Sequence, residues 1–152
     1  MTSPFKTLNA LSANQAKSCT FSAVNRMVLF FFEEAATESY AYFRSEFAEQ
    51  WKNAPEYINR AVKFYSDFVG DYPHPHASAV MANGGYEGGM EYPMITVLAG
   101  HHTAQDLDVT IAHEVGHNWF QGILGSNERD NAWMDEGLNS YYDHRYTLDF
   151  YG

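Results

Sequence analysis

The order of apolar patterns along the chain predicts an α+β fold. Three observations carry that class. A β-branched and aromatic run, RMVLFFFEE (26–34), reads as a buried strand. Two more strand-like runs, ASAVMA (77–82) and MEYPMITVLA (90–99), flank a glycine-rich NGGYEGG (83–89). The last third carries two helical patterns and no strand pattern, so strands come with one helix first and a helix pair follows.

Residues 1–27 are polar, rich in Ser, Asn and Ala, and without a period; they read as a loop-like N-terminal segment. After the first strand the pattern turns helical from Tyr40, through FRSEFAEQW and then PEYINRAVKFYSDFVGDYP. Ala61, Phe64, Tyr65 and Phe68 recur at spacings of three and four. Pro55 suits a first helical turn and Gly70 an end. Thr103 with Asp106 three residues on is a capping pattern for a helix running to about Gln121. GILGSNERDN (122–131) is a connection, and AWMDEGLNSYYDHRY (132–146) is the second helix.

The chain of 152 residues is long enough for one domain with a real core. Its formal net charge of −10 argues against a nucleic-acid partner, which needs clustered Lys and Arg. Cys19 is the single cysteine, so an internal disulfide is excluded and any metal must be held by His and carboxylates. MVLFFF (27–32) is too short to span a bilayer, and the first 18 residues lack the apolar stretch of a signal peptide, so a soluble chain is expected. Aromatic residues make up 16%, a load that implies a large core or a surface meant to be covered, with self-association as one outcome.

Chemistry concentrates in AHEVGHNWFQG (112–122). On a helix, His113 and His117 at i and i+4 point from one face, so two imidazoles can reach one ion at about 2.0–2.1 Å. Glu114 is displaced round the helix, wrong for an equal ligand but able to reach a water on the metal as a general base. With 7 His and 11 Glu in the chain, the His-Glu-x-x-His pattern arises by chance with a probability of roughly 0.02. Eighteen residues lie between His117 and Glu136, which sits on the next helix. A turn of about ten residues lets that helix fold back and offer a third ligand, leaving the open position of a catalytic zinc site. Requiring a Glu at that offset lowers the chance estimate to roughly 0.002. Other histidines read differently. His74 and His76 flank Pro75 in a loop, adjacent His101 and His102 aim apart, and His144 belongs to a solvated helix face.

HEVGHNWF, Glu136 within WMDEG, and EGGMEYP upstream together resemble the aminopeptidase N-like family of gluzincin zinc metallopeptidases. The resemblance covers roughly residues 28 to 147. It implies a partial thermolysin-like (zincin) domain over 28–152, a small sheet with an edge substrate strand packed on the zinc-binding helices. It implies one Zn2+ per chain on His113, His117 and Glu136, with Glu114 as base. Glu91 would grip the free α-amino group of a peptide, and Gly88, Gly89 and Met90 would offer backbone groups to it. Tyr92 stands where the family has Asn. The family's oxyanion-stabilising tyrosine lies beyond the second zinc helix, whereas Tyr141, Tyr142 and Tyr146 lie on that helix, so an incomplete catalytic domain of weak or absent activity is expected. A zinc endopeptidase or other hydrolase on the same scaffold, and a non-catalytic zinc- or peptide-binding module, are the alternatives.

Overall fold

The computed structural model describes residues 27–34, 37–83, 87–99 and 103–152. The expectations for the N-terminal loop, Cys19, the glycines and tyrosine at 84–86, and His101 and His102 lie outside these residues. The described chain is mixed in class: five strands form one sheet, and helices pack against it. The strands are β1 (Met27–Glu34), β2 (Thr37–Arg44), β3 (His76–Met81), β4 (Gly89–Tyr92) and β5 (Ile95–Leu98), in the spatial order β1-β2-β3-β5-β4. The β1–β2 and β4–β5 pairs are antiparallel; β2–β3 and β3–β5 are parallel. The helices are α1 (Ala48–Trp51), α2 (Ala54–Phe68), α3 (Ala104–Gly116) and α4 (Leu138–Tyr151).

Two expectations are corrected. The helical pattern expected from Tyr40 is a strand as far as Arg44, followed by a short 3-10 turn and α1. Ser39, Ala41 and Phe43 are buried while their neighbours are partly exposed, a period of two that the aromatic alternation of Tyr40 and Tyr42 disguises. The single strand expected over 90–99 is a hairpin. Pro93 presets its own φ for a turn, and Met94 follows at φ 66°, so the chain reverses there and β5 returns along β4. The reversal puts β4, not β5, at the sheet edge.

The core forms where α2 and α3 lie against the sheet. Trp51, Ile58, Tyr65, Phe43, Leu98, Leu107 and Ile111 are fully buried. Pro55 sits in the first turn of α2, as its missing N–H allows. Thr103 caps α3, its hydroxyl accepting from the Asp106 N–H at 3.1 Å. Beyond His117 the helical course breaks: Phe120 has ψ 108° and Gln121 φ 91°. A π-helical turn, Trp133–Gly137, leads into α4. Asp108 meets Tyr146 and Tyr151, His113 meets Asp143, and His117 meets Asp135. Residue numbers thus fall on one helix as they rise on the other, so the two run antiparallel, as the sequence predicts.

A buried polar cluster fastens this helix pair to α2. Asp108 is wholly buried and accepts from Arg60, from Tyr146 Oη at 2.8 Å and from Tyr151 Oη at 2.6 Å. Arg60 also donates to Tyr146 Oη at 2.8 Å. Burial holds the Asp108 carboxyl above the usual range, although its donors pull it down.

Candidate metal centre

The centre sits where the end of α3 meets the start of the α4 segment, beside β4. His113 Nε2 and His117 Nε2 are 3.2 Å apart. Glu136 Oε2 lies 3.4 Å from the first and 3.7 Å from the second. Three donors placed 2.0–2.1 Å from a tetrahedral ion lie about 3.4 Å from one another. The triangle therefore has the dimensions of one face of such a coordination shell. His113, His117 and Glu136 form a group that could hold a metal ion.

Hydrogen-bond partners decide the state of the two rings. His117 Nδ1 faces Asp135 Oδ1 at 2.6 Å and the Phe120 carbonyl at 3.2 Å, two acceptors, so it carries the proton. His113 Nδ1 faces Asp143 Oδ2 at 2.6 Å. In neutral rings this leaves both Nε2 lone pairs pointing at each other and at a carboxylate, an arrangement that repels unless a cation lies between them. Burial opposes a charge on His113, but the hydrogen bond and charge of Asp143, with Glu114 and Glu136, outweigh it and lift the imidazole to about 9. A proton or a metal ion is thus drawn to the same place.

Glu114 lies in the wall beside this triangle. Burial raises its carboxyl to about 7, with Glu91 and Glu136 adding to the shift and His113 and His117 opposing it. The close approach of β4 explains Gly89: a Cβ there would overlap the Glu114 carboxylate. Gly88 has φ +78° and open space around it, so its requirement is conformational rather than steric. Glu91, Glu114 and His117 also gather within 4.8 Å, as do Glu91, Glu128 and Asp135.

An open groove of about 580 Å³ runs along the sheet edge, with Gly88, Gly89, Met90 and Glu91 on one side and His113, Glu114, His117 and Glu136 on the other. Glu128 and Asp143 line it too, and among the described residues no Lys or Arg does. Every site residue singled out from the sequence therefore reaches one groove. His74, His76 and His144 lie outside the triangle; His76 begins β3 against Tyr40, and His144 is exposed.

Sequence reasoning missed four residues that shape the centre: Asp135, Asn139, Asp143 and Tyr65. Asn139 donates to the His113 carbonyl at 2.7 Å, and Tyr65 Oη lies 3.0 Å from both Asn139 Oδ1 and Asp143 Oδ1. Asn139 and Asp143 follow Glu136 by three and seven residues, so one helical face carries all three. That spacing was the available signal. Tyr65 left none, because only the packing of α2 brings it near.

No family model matches the chain. Similarity to curated proteins is short and partial. Mouse Aminopeptidase Q is 44% identical over 41 residues, 27% of this chain and 7% of the relative. Human Aminopeptidase RNPEPL1 is 32% identical over 65 residues, 41% of this chain and 9% of the relative. Rat Aminopeptidase B is 31% identical over 70 residues, 43% of this chain and 10% of the relative. The matched stretches thus span a tenth or less of these relatives' lengths. Over them, the chain shows weak, partial homology to aminopeptidases of the M1 metallopeptidase family.

Proposed function

We propose that the chain carries the metal-and-base part of a zinc-dependent aminopeptidase. The observation that supports this most is the triangle of His113, His117 and Glu136, at 3.2, 3.4 and 3.7 Å, in a groove lined by carboxylates. Two imidazoles and one carboxylate are a donor set suited to catalytic zinc. A zinc ion bound there would bring the pKa of its water to about 7 and polarise a peptide carbonyl.

The chain's own residues supply the base and the substrate-binding end. Glu114, in the groove wall beside the triangle, is placed to take a proton from water and return it to a leaving amine. β4 is an edge strand, and Gly88 to Glu91 line the groove, so an extended peptide can lie along it. Glu91 selects a protonated α-amino group, which limits the reaction to the first residue of a peptide with a free N-terminus.

Metal content and hydrolysis of amino-acid chromogenic amides, measured together on the 152-residue chain, test the reading. About one zinc per chain is expected, lost in His113→Ala and His117→Ala. Glu114→Gln should keep the metal and lose any hydrolysis. A carefully prepared chain that takes up no zinc overturns the proposal. Equal cleavage of free-amino and N-blocked peptides, unchanged in Glu91→Gln, would instead make it an endopeptidase.

A further inference from the structure

Each imidazole of the triangle offers its Nδ1 to an aspartate that the metal-ligand pattern does not contain. We propose that Asp135 and Asp143 are positioning residues for a divalent cation on His113, His117 and Glu136, and that Asp143 is the decisive one. The inference rests on the proposed ligand set.

Both aspartates do the same thing at first sight. Asp135 Oδ1 lies 2.6 Å from His117 Nδ1, and Asp143 Oδ2 lies 2.6 Å from His113 Nδ1. A carboxylate there holds the Nδ1–H tautomer, leaves the Nε2 lone pair free for an ion and makes the ring a stronger donor. Asp135 is 2% exposed, and a ranking by burial would make it the more important.

The surroundings reverse that ranking. His117 Nδ1 has a second acceptor, the Phe120 carbonyl at 3.2 Å, supplied by the break in the chain after α3. Without Asp135 the His117 tautomer survives. Among the described residues His113 has no such reserve. Its other neighbour at Nδ1 is Asn139 Nδ2, a donor, at 3.4 Å. Without Asp143 that donor favours the opposite tautomer, with the proton on Nε2 and the lone pair turned away from the ion. Asp143 is itself held from the core, since Tyr65 Oη lies 3.0 Å from its Oδ1 and the Tyr65 ring stacks on Trp119 at a centroid distance of 5.3 Å. One segment, 135–143, thus supplies one ligand and the orientation of the other two.

The test is zinc affinity by equilibrium competition with a chromophoric chelator, on the 152-residue chain and its variants, with circular dichroism to check folding. Asp143→Ala should bind zinc 10–100-fold more weakly. Asp135→Ala should lose less than Asp143→Ala. Asp143→Asn, whose amide oxygen can still accept from Nδ1–H, should recover part of the loss, and the visible spectrum of the cobalt-substituted protein should move towards the parent's in step. Asp143→Ala within twofold of the parent, or a larger loss in Asp135→Ala, overturns the inference and leaves the ligand set standing. A parent chain that binds no zinc removes the ligand set and the inference together.

Discussion

Gly89 and Glu114 are a pair that neither residue explains alone. The glycine has an ordinary backbone; what it supplies is the absence of a Cβ where the Glu114 carboxylate lies. Gly89→Ala should therefore destabilise by about 1–3 kcal/mol, the usual cost of overpacking. In urea titrations the penalty should shrink when Glu114→Ala is added, because the colliding group is gone; strictly additive costs would show that the two do not touch. Asp108 gives a second prediction at this scale. It is fully buried beneath three donors, so Asp108→Ala should cost about 3 kcal/mol, the low end for a broken buried pair because the Arg60 side chain keeps 28% exposure. Tyr151→Phe removes one partially exposed hydroxyl and should cost about 1 kcal/mol. Denaturation midpoints in the reverse order would count against this view of the cluster.

Among the elements, the α3–α4 pair carries most of the chemistry, and its register is set by side chains rather than by a continuous apolar seam. His117 meets Asp135 near the turn, His113 meets Asp143 and Asn139 midway, and Asp108 meets Tyr146 and Tyr151 at the far end. Half of this register is readable from residue spacing. His113, His117 and Glu136 follow from helical periodicity and one fold-back, and the Thr103 cap follows from a local hydrogen-bonding habit. The hairpin at Pro93–Met94 was not legible, because an apolar run with one proline reads equally as an edge strand. Nor was β2, where alternating burial competes with residues that suit a helix.

The site's charge also sets a prediction for this pair. In the metal-free chain, His113 titrates near 9 and Glu114 near 7, both above their ordinary values of 6.5 and 4.5. Each holds a proton in the folded state that the unfolded chain gives up. Their stabilisation is therefore complete below the unfolded values and is lost as pH rises through 7 and then 9. Thermal melts of chelator-treated protein should fall from pH 6 to pH 9. Added zinc should reverse the trend, since it competes with those protons less as pH rises. A chelated chain that melts higher at pH 9 would contradict the assignment.

At the scale of the whole molecule, exposed apolar surface is unevenly shared. Among the described residues thirteen large hydrophobic side chains are exposed, and eight of them lie between Ile123 and Tyr151, including Trp133 and Tyr141. Sedimentation velocity should show association that grows with concentration and weakens in Trp133→Ser and Tyr141→Ser. A monomer at every concentration would leave that surface without a role.

The sequence by itself determined that His113 and His117 share one helical face with Glu114 beside them, because i, i+4 periodicity places side chains together whatever surrounds them. It also placed a carboxylate, Glu91, just after Gly88, Gly89 and Met90 and upstream of the two histidines. Tertiary structure alone decided that β4 is the sheet edge, that Gly89 makes room for Glu114, and that Asp135 and Asp143 face the two imidazoles. Those facts depend on how strands order themselves and how helices dock. Such contacts join residues far apart in the chain, and no local pattern encodes them.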